Sequence, residues 1–97
     1  MAADCWVCTG KDCSRSKGHD ELVVEASKAG AVELVRCQKI CSGPVFGTVV
    51  NGRIEWFEKV RGGTSRAAAI RLAVGGGPLP DRLARRRVRK RSGRLRT

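Results

Sequence analysis

Residues 45–60 read VFGTVVNGRIEWFEKV, and this stretch decides most of the fold. Two segments rich in β-branched and aromatic residues lie on either side of the dipeptide Asn51-Gly52. Both of these residues tolerate the positive φ that a type I′ turn requires. The stretch therefore predicts a β-hairpin with strands at 45–50 and 53–60.

A βαβ unit is predicted on the N-terminal side of this hairpin. Residues 4–8 read DCWVC, a β-prone segment that runs into a loop. A helix is predicted from about residue 19, with acidic residues in its first turn and Gly30 at its C-terminal end. Residues 31–36 read AVELVR and predict a second strand, parallel to the first because a helix connects the two.

A second helix is predicted on the C-terminal side, capped by Gly63 or Thr64. Its predicted apolar side consists of Ala67, Ile70, Leu72 and Val74. The resulting order of βαβ, β-hairpin and α predicts an α/β chain, and it is the order of a minimal thioredoxin-like fold.

Three glycines and a proline at residues 75–78 end this helix, because glycine loses backbone entropy and proline lacks the N–H donor. We therefore predict a domain over residues 1–77 and an Arg-rich tail over 78–97, which is either a short helix or disordered. The chain has 20 Lys+Arg against 9 Asp+Glu and a formal net charge of +11. Residues 1–60 contain eight charges of each sign, so the whole excess lies beyond residue 60.

Such a tail fits three interpretations: a solvated run without a partner, attachment to nucleic acid or a membrane surface, and docking to an acidic redox protein.

A chain of 97 residues predicts one small domain, and it contains no apolar run near the roughly 18 residues that cross a bilayer. The N-terminus shows no basic region followed by an apolar one, so we expect a cytoplasmic protein. The chain has five cysteines, and an odd number in a reducing compartment favours a metal site or redox chemistry over a disulfide framework.

Four of the cysteines form two pairs, and each pair follows a predicted strand. Four residues separate Cys8 from Cys13, and three separate Cys37 from Cys41. Neighbouring parallel strands lie about 5 Å apart and end at the same edge of a sheet, so we expect the two pairs to converge. Four thiolates in one loop site can hold a two-iron cluster or a zinc ion.

Around these cysteines the sequence resembles the thioredoxin-like 2Fe-2S ferredoxins, including the small 2Fe-2S subunit of respiratory complex I and of related hydrogenases. The resemblance covers about residues 3–80 and rests on Trp6-Val7-Cys8, the two cysteine spacings, and Cys41-Ser42-Gly43-Pro44-Val45 before the hairpin. It implies that a 2Fe-2S cluster is held by Cys8, Cys13, Cys37 and Cys41. It also implies a one-electron carrier with no substrate or catalytic residue of its own, and a homodimer, since such ferredoxins often dimerise.

Two other functions fit the same cysteines. If the four thiolates bound zinc, the ion would stabilise the fold, and the chain would be a basic protein that binds nucleic acid through its tail. Cys5 and Cys8 also form a Cys-x-x-Cys pair, the spacing of a thiol-disulfide oxidoreductase. We favour the electron carrier, with a redox protein as its partner. Thiol-disulfide exchange is disfavoured because Cys5 lies early in a strand rather than at a helix N-terminus, where the helix dipole lowers the pKa of a thiol. His19 is interpreted as a solvated residue of the first helical turn.

Overall fold

The computed structural model describes residues 5–38, 40, 43–76 and 78–88. This part of the chain forms one mixed sheet, in the order β2-β1-β3-β4, with helices. The strands are β1 Cys5–Cys8, β2 Val32–Val35, β3 Phe46–Val50 and β4 Arg53–Phe57. The helices are α1 Lys11–Ser14, α2 His19–Ala29, α3 Gly63–Gly75 and α4 Asp81–Ala84. The predicted mixed α/β class is confirmed.

The strand pairing gives the sheet two distinct ends. β1 pairs in parallel with β2, whereas β3 is antiparallel to both β1 and β4. The hairpin turn has φ values of 53° at Asn51 and 81° at Gly52, so the predicted turn is confirmed. The C-terminal ends of β1, β2 and β4 therefore meet at one edge. We call this edge, with residues 9–20, 36–38, 43–45 and 58–61, the cysteine end.

Three helices cover one face of the sheet. Side chains of α2, α3, α4 and the sheet form what we call the helix-side core. Its buried members are Cys5, Val7, Leu22, Ala26, Phe46, Phe57, Val60, Ala69, Leu72 and Leu83. Burial of this apolar surface is the main stabilising contribution on this face.

The details of α3 differ from the prediction. Its N-cap is Gly62, not Gly63 or Thr64, and Gly75 still belongs to the helix. Leu72 is buried, but Ala67 is exposed and Val74 is 52% exposed. Ser65 and Ala69 are buried instead, because their spacing places them on the same helical face as Leu72.

The opposite face of the sheet carries a second apolar group, which we call the cysteine-side cluster. Its buried members are Trp6, Cys8, Cys13, Val45 and Trp56. Partly buried side chains that pack against it are Val35, Cys37, Ile40, Ile54 and Val88. A Cβ at Gly47 would lie 2.7 Å from the Trp56 ring, so the indole lies directly against the strand backbone.

The described part of the Arg-rich segment packs against the domain. Leu83 of α4 is fully buried, and residue 87 forms an antiparallel bridge with Phe57. The Val88 N–H donates to the Trp56 carbonyl at 2.7 Å. Arg87 Nε lies 2.7 Å from Glu55 Oε2, whose side chain is only 1% exposed, and the pairing raises the pKa of Arg87. Residues 89–97 lie outside the described part, and the predicted division after residue 77 stays a prediction.

Candidate metal centre

The first cysteine pair is brought together by a turn of helix. Cys8 ends β1, and Cys13 lies in α1, where the sequence had predicted only a loop. The Ser14 N–H donates to the Gly10 carbonyl at 2.8 Å, which folds the chain back toward the end of β1. Both cysteines are about 1% exposed, and a hydrogen bond joins their side chains. The thiols of this pair are therefore in direct contact.

The end of β2 brings Cys37 to the same loop. The Thr9 N–H and Oγ1 both donate to the Val35 carbonyl, at 2.7 and 2.8 Å. A Cβ at Gly10 would lie 2.8 Å from Cys37 Cβ and 3.3 Å from its Sγ. Cys37 is half-buried and belongs to the cysteine-side cluster. Cys37 thus packs against the chain between Cys8 and Cys13, which fits the expected convergence.

Cys41 lies outside the described residues, but the chain just beyond it is positioned. A Cβ at Gly43 would lie 2.9 Å from Cys13 Cα and 2.8 Å from Ser16 Oγ. The Pro44 carbonyl accepts from the Val60 N–H at 3.0 Å, and the Gly43–Pro44 peptide bond is cis. The chain at Gly43 therefore lies directly against Cys13. Within the described residues alone, no group of three or more His, Cys, Asp or Glu is arranged to hold a metal ion.

The surroundings of Cys8 favour its ionised form. The hydrogen bond from the Cys13 side chain is the largest effect that lowers the pKa of Cys8, which falls to about 6 although burial opposes the shift. The backbone N–H groups of Gly10 and Gln38 and the His19 ring lower this pKa further. Gly10 N lies 3.4 Å from Cys8 Sγ. Because thiolates are the metal-binding form of cysteine, Cys8 is prepared to act as a ligand at neutral pH.

His19 is the neighbour of the site that the sequence interpretation missed. It is only 7% exposed, not solvated, and its Nε2 lies 3.1 Å from the Cys8 carbonyl oxygen. Its Nδ1 is buried without a hydrogen-bond partner within the described structure, and Asp20 Oδ1 lies 3.6 Å away. The spacing of His19 from the buried Leu22 and Ala26 was the available signal, since these positions share one helical face.

Cys5 lies apart from the other described cysteines. It belongs to the helix-side core and is 3% exposed, whereas Cys8 belongs to the cysteine-side cluster. Residues separated by three along a strand point to opposite faces of the sheet. Cys5 Sγ lies 3.9 Å from the Ala31 carbonyl oxygen. All four described cysteines are thiols, and Cys5 does not face the candidate centre.

Comparisons with known proteins supply no identity for this chain. No family model, no curated protein and no solved structure matches it. Among the helices of the described residues, none has the length and apolar character needed to cross a membrane. Function therefore has to follow from the chemistry of the chain's own residues.

Proposed function

We propose that this protein is a thioredoxin-like ferredoxin that carries one electron on a 2Fe-2S cluster. The proposed ligands are Cys8, Cys13, Cys37 and Cys41. The observation that carries this proposal is the packing of Cys37 against the loop that joins the hydrogen-bonded Cys8 and Cys13. The thioredoxin-like description is supported by the strand order β2-β1-β3-β4 and by the helices on one face of the sheet.

The donor set fits an iron-sulfur cluster. The proposed ligands are all cysteines, and the Gly10 N–H points toward Cys8 Sγ at 3.4 Å. Side chains at Gly10 and Gly43 would collide with Cys37 and Cys13, so glycine leaves these loops room to close around the sulfurs. A bound cluster would supply reversible one-electron chemistry, while hydrogen bonds to sulfur and solvent exposure adjust its potential. Trp6, Val45 and Trp56 keep water away from the buried side.

The thiol-disulfide alternative is less well supported. Cys5 and Cys8 lie on opposite faces of β1, and cysteines whose side chains point apart cannot be bridged without backbone movement. Zinc would use the same four thiolates as the cluster, so metal analysis has to separate the two. We propose a reducing compartment such as the cytoplasm, since thiol ligands persist there.

Metal content is the direct test of the proposal. Protein purified without oxygen should be red-brown, with two irons and two acid-labile sulfides per chain. The bound cluster should be reducible and reoxidisable by one electron in a potentiometric titration. A colourless protein with one zinc per chain would contradict the proposal.

Substitutions separate the ligands from the remaining cysteine. Single changes to alanine at Cys8, Cys13, Cys37 or Cys41 should remove the visible absorption or make it decay within minutes of purification. Cys5→Ala is the matched control and should keep both iron and colour, because its thiol lies in the helix-side core. The assignment is wrong if Cys5→Ala bleaches the protein while Cys13→Ala does not.

A further inference from the structure

The two ends of the sheet differ in how many cationic side chains they carry. Residues 9–20, 36–38 and 58–61 at the cysteine end contain six cationic and three acidic residues. The cations, all exposed, are Lys11, Arg15, Lys17, Arg36, Lys59 and Arg61. The acidic residues are Asp12, Asp20 and Glu58. At the hairpin end, residues 28–31 and 50–53 contain only Lys28 and Arg53 as charged groups. The cysteine end therefore carries six cations and a net charge of +3 (6 − 3), against two cations at the hairpin end.

Two of these cations belong to residues that contact the candidate ligands or adjoin a residue that does. Lys11 adjoins Gly10, whose position against Cys37 is described above. The Arg36 carbonyl lies 3.7 Å from Cys8 Sγ. Both side chains are exposed, so positive charge lies close to the described thiols.

The remaining cations lie on the chain next to Cys13 and next to Pro44. Arg15 and Lys17 flank Ser16, whose N–H donates to the Cys13 carbonyl at 3.1 Å. Lys59 and Arg61 flank Val60, which is hydrogen-bonded to Pro44. A Cβ at Gly18 would lie 2.7 Å from the Arg61 carbonyl, so the two loops touch. We call the six exposed cations together the cationic rim.

The C-terminal segment extends this positive surface. Arg86 Nε donates to the Lys59 carbonyl at 3.3 Å, and its Nη1 donates to the Arg82 carbonyl at 3.1 Å. Arg82 is exposed and Arg86 is half-buried. The described arginines of α4 and the chain after it therefore continue the cationic rim.

We propose that the cationic rim docks an acidic surface of the redox protein that exchanges electrons with this chain. The proposal rests on the proposed function and specifies its partner. Cys37 is the most exposed of the described cysteines, so an electron would enter or leave beside the rim. Opposite charge around such a point accelerates encounters, which suits the small and transient interfaces of electron-transfer pairs.

Nucleic acid fits this surface less well than an acidic protein. The aromatic residues of the chain are Trp6, Phe46, Trp56 and Phe57. All four are buried, so none can stack on a base as single-strand binders require. The rim cations also come from the short α1 and from several separate loops rather than from one long helix. The structure therefore favours a compact acidic surface over a long polyanion.

The test uses flavodoxin, an acidic one-electron flavoprotein, as the probe. Lys17→Glu/Arg61→Glu alters the rim, and Lys28→Glu/Arg53→Glu is the control with the same residue types at the hairpin end. Each change replaces +1 by −1, so both doubles lower the net charge from +11 to +7. At low ionic strength the rim variant should associate with flavodoxin about tenfold more slowly, and the control within about twofold of the parent. The difference should vanish near 1 M salt, where the Debye length is about 3 Å.

A second measurement examines the electron-transfer point itself. Reduced protein gives one electron to ferricyanide, which becomes ferrocyanide, or to hexaammineruthenium(III), which becomes the ruthenium(II) complex. The rim variant should react about tenfold more slowly with the anionic oxidant and faster with the cationic one. The neutral variant Lys17→Gln/Arg61→Gln should lie between the parent and the charge-reversed variant, which keeps the test valid if the reversed one folds poorly.

The outcomes separate this inference from the proposed function. If the rim and control double variants both associated with flavodoxin equally slowly, net charge alone would account for the effect, and the proposed docking role of the cationic rim would be wrong. Loss of duplex DNA binding in the rim variant, with flavodoxin association unchanged, would assign the surface to nucleic acid instead. A protein that cannot be reduced refutes the electron carrier, while the flavodoxin association still decides whether the rim recognises an acidic surface.

Discussion

The two faces of the sheet are stabilised in different ways. The helix-side core has ten buried members contributed by the sheet, the loop at Val60 and three helices. The cysteine-side cluster has five buried members, two of which are cysteines, and loops supply much of its edge. The difference teaches where a bound metal would matter: we expect the helix-side core to be stable through apolar burial alone, and the cysteine-side cluster to gain stability from the metal that its sulfur atoms are proposed to bind.

The largest expected effect comes from removing a segment that both faces share. Truncation after Pro80 deletes Leu83 from the helix-side core and Val88 from the edge of the cysteine-side cluster. It also leaves the buried Glu55 carboxylate without Arg87. Loss of a buried leucine costs about 2–5 kcal/mol, and loss of the ion pair of Glu55 with Arg87, whose own side chain is 37% exposed, adds a smaller destabilisation. Because small domains are stable by only about 5–15 kcal/mol, circular dichroism should show a largely unfolded chain.

The matched control for this truncation is a chain that ends at Val88. It keeps every described contact of the C-terminal segment and should unfold at nearly the parent temperature. A cooperative transition near the parent temperature in the chain that ends at Pro80 would show that α4 and the bridge at residue 87 contribute little.

A smaller effect is expected when only the helix-side core is changed. Leu22 is fully buried, so Leu22→Ala should lower the free energy of unfolding by about 2–5 kcal/mol. Urea denaturation should give the same loss in metal-free and metal-loaded protein. Val24→Ala, on the same helix at 50% exposure, is the control and should change the free energy by less than about 0.5 kcal/mol. A loss confined to metal-loaded protein would contradict the independence of the two faces.

The smallest expected effect comes from a substitution beside the candidate ligands, on the cysteine side of the sheet. Gly10→Ala places a Cβ 2.8 Å from Cys37 Cβ, so the loop has to shift away from the sulfurs. Metal affinity should fall about 10–100-fold, as it does when residues that support metal ligands are changed. Ligand binding stabilises only the folded form, so the lower affinity appears as a lower melting temperature of loaded protein alone.

Gly75→Ala is the control for this substitution, because a Cβ there meets nothing within 4 Å. It should leave the metal affinity unchanged and slightly raise stability, since alanine favours helix. If Gly10→Ala destabilises the metal-free protein as much as the loaded one, the glycine is required by the fold rather than by the site.

The elements with strong local signals were predictable from the sequence. The Asn51-Gly52 dipeptide predicted the hairpin, and the connection through α2 predicted the parallel pair that brings both cysteine loops to one edge. Capping and glycine residues at the helix ends located α2 and α3 to within a few residues, although the predicted apolar side of α3 was wrong at Ala67 and Val74. The same topology correctly placed Cys37 next to the loop between Cys8 and Cys13, while the role of these cysteines as ligands stays a prediction.

The features that the sequence did not predict depend on short or distant interactions. α1 is four residues long, too short for a helical period to be recognised. The buried state of His19 depends on its contact with the Cys8 carbonyl, 11 residues away. The arginine-rich composition left three interpretations of the tail open, and none of them included the contact of Arg87 with the buried Glu55, 32 positions earlier on a strand. Composition reports how much charge a segment carries, not which charge finds a buried partner.

The position of the two indole rings makes the protein its own optical reporter. The chain has two tryptophans and no tyrosine, and both tryptophans belong to the cysteine-side cluster. Tryptophan fluorescence therefore comes from the face that holds the candidate ligands, and the helix-side core contributes none. An iron-sulfur chromophore absorbs at the wavelengths where indole emits and would quench this light by energy transfer. Zinc is spectroscopically silent there, so emission intensity alone would distinguish the two occupants without any added label.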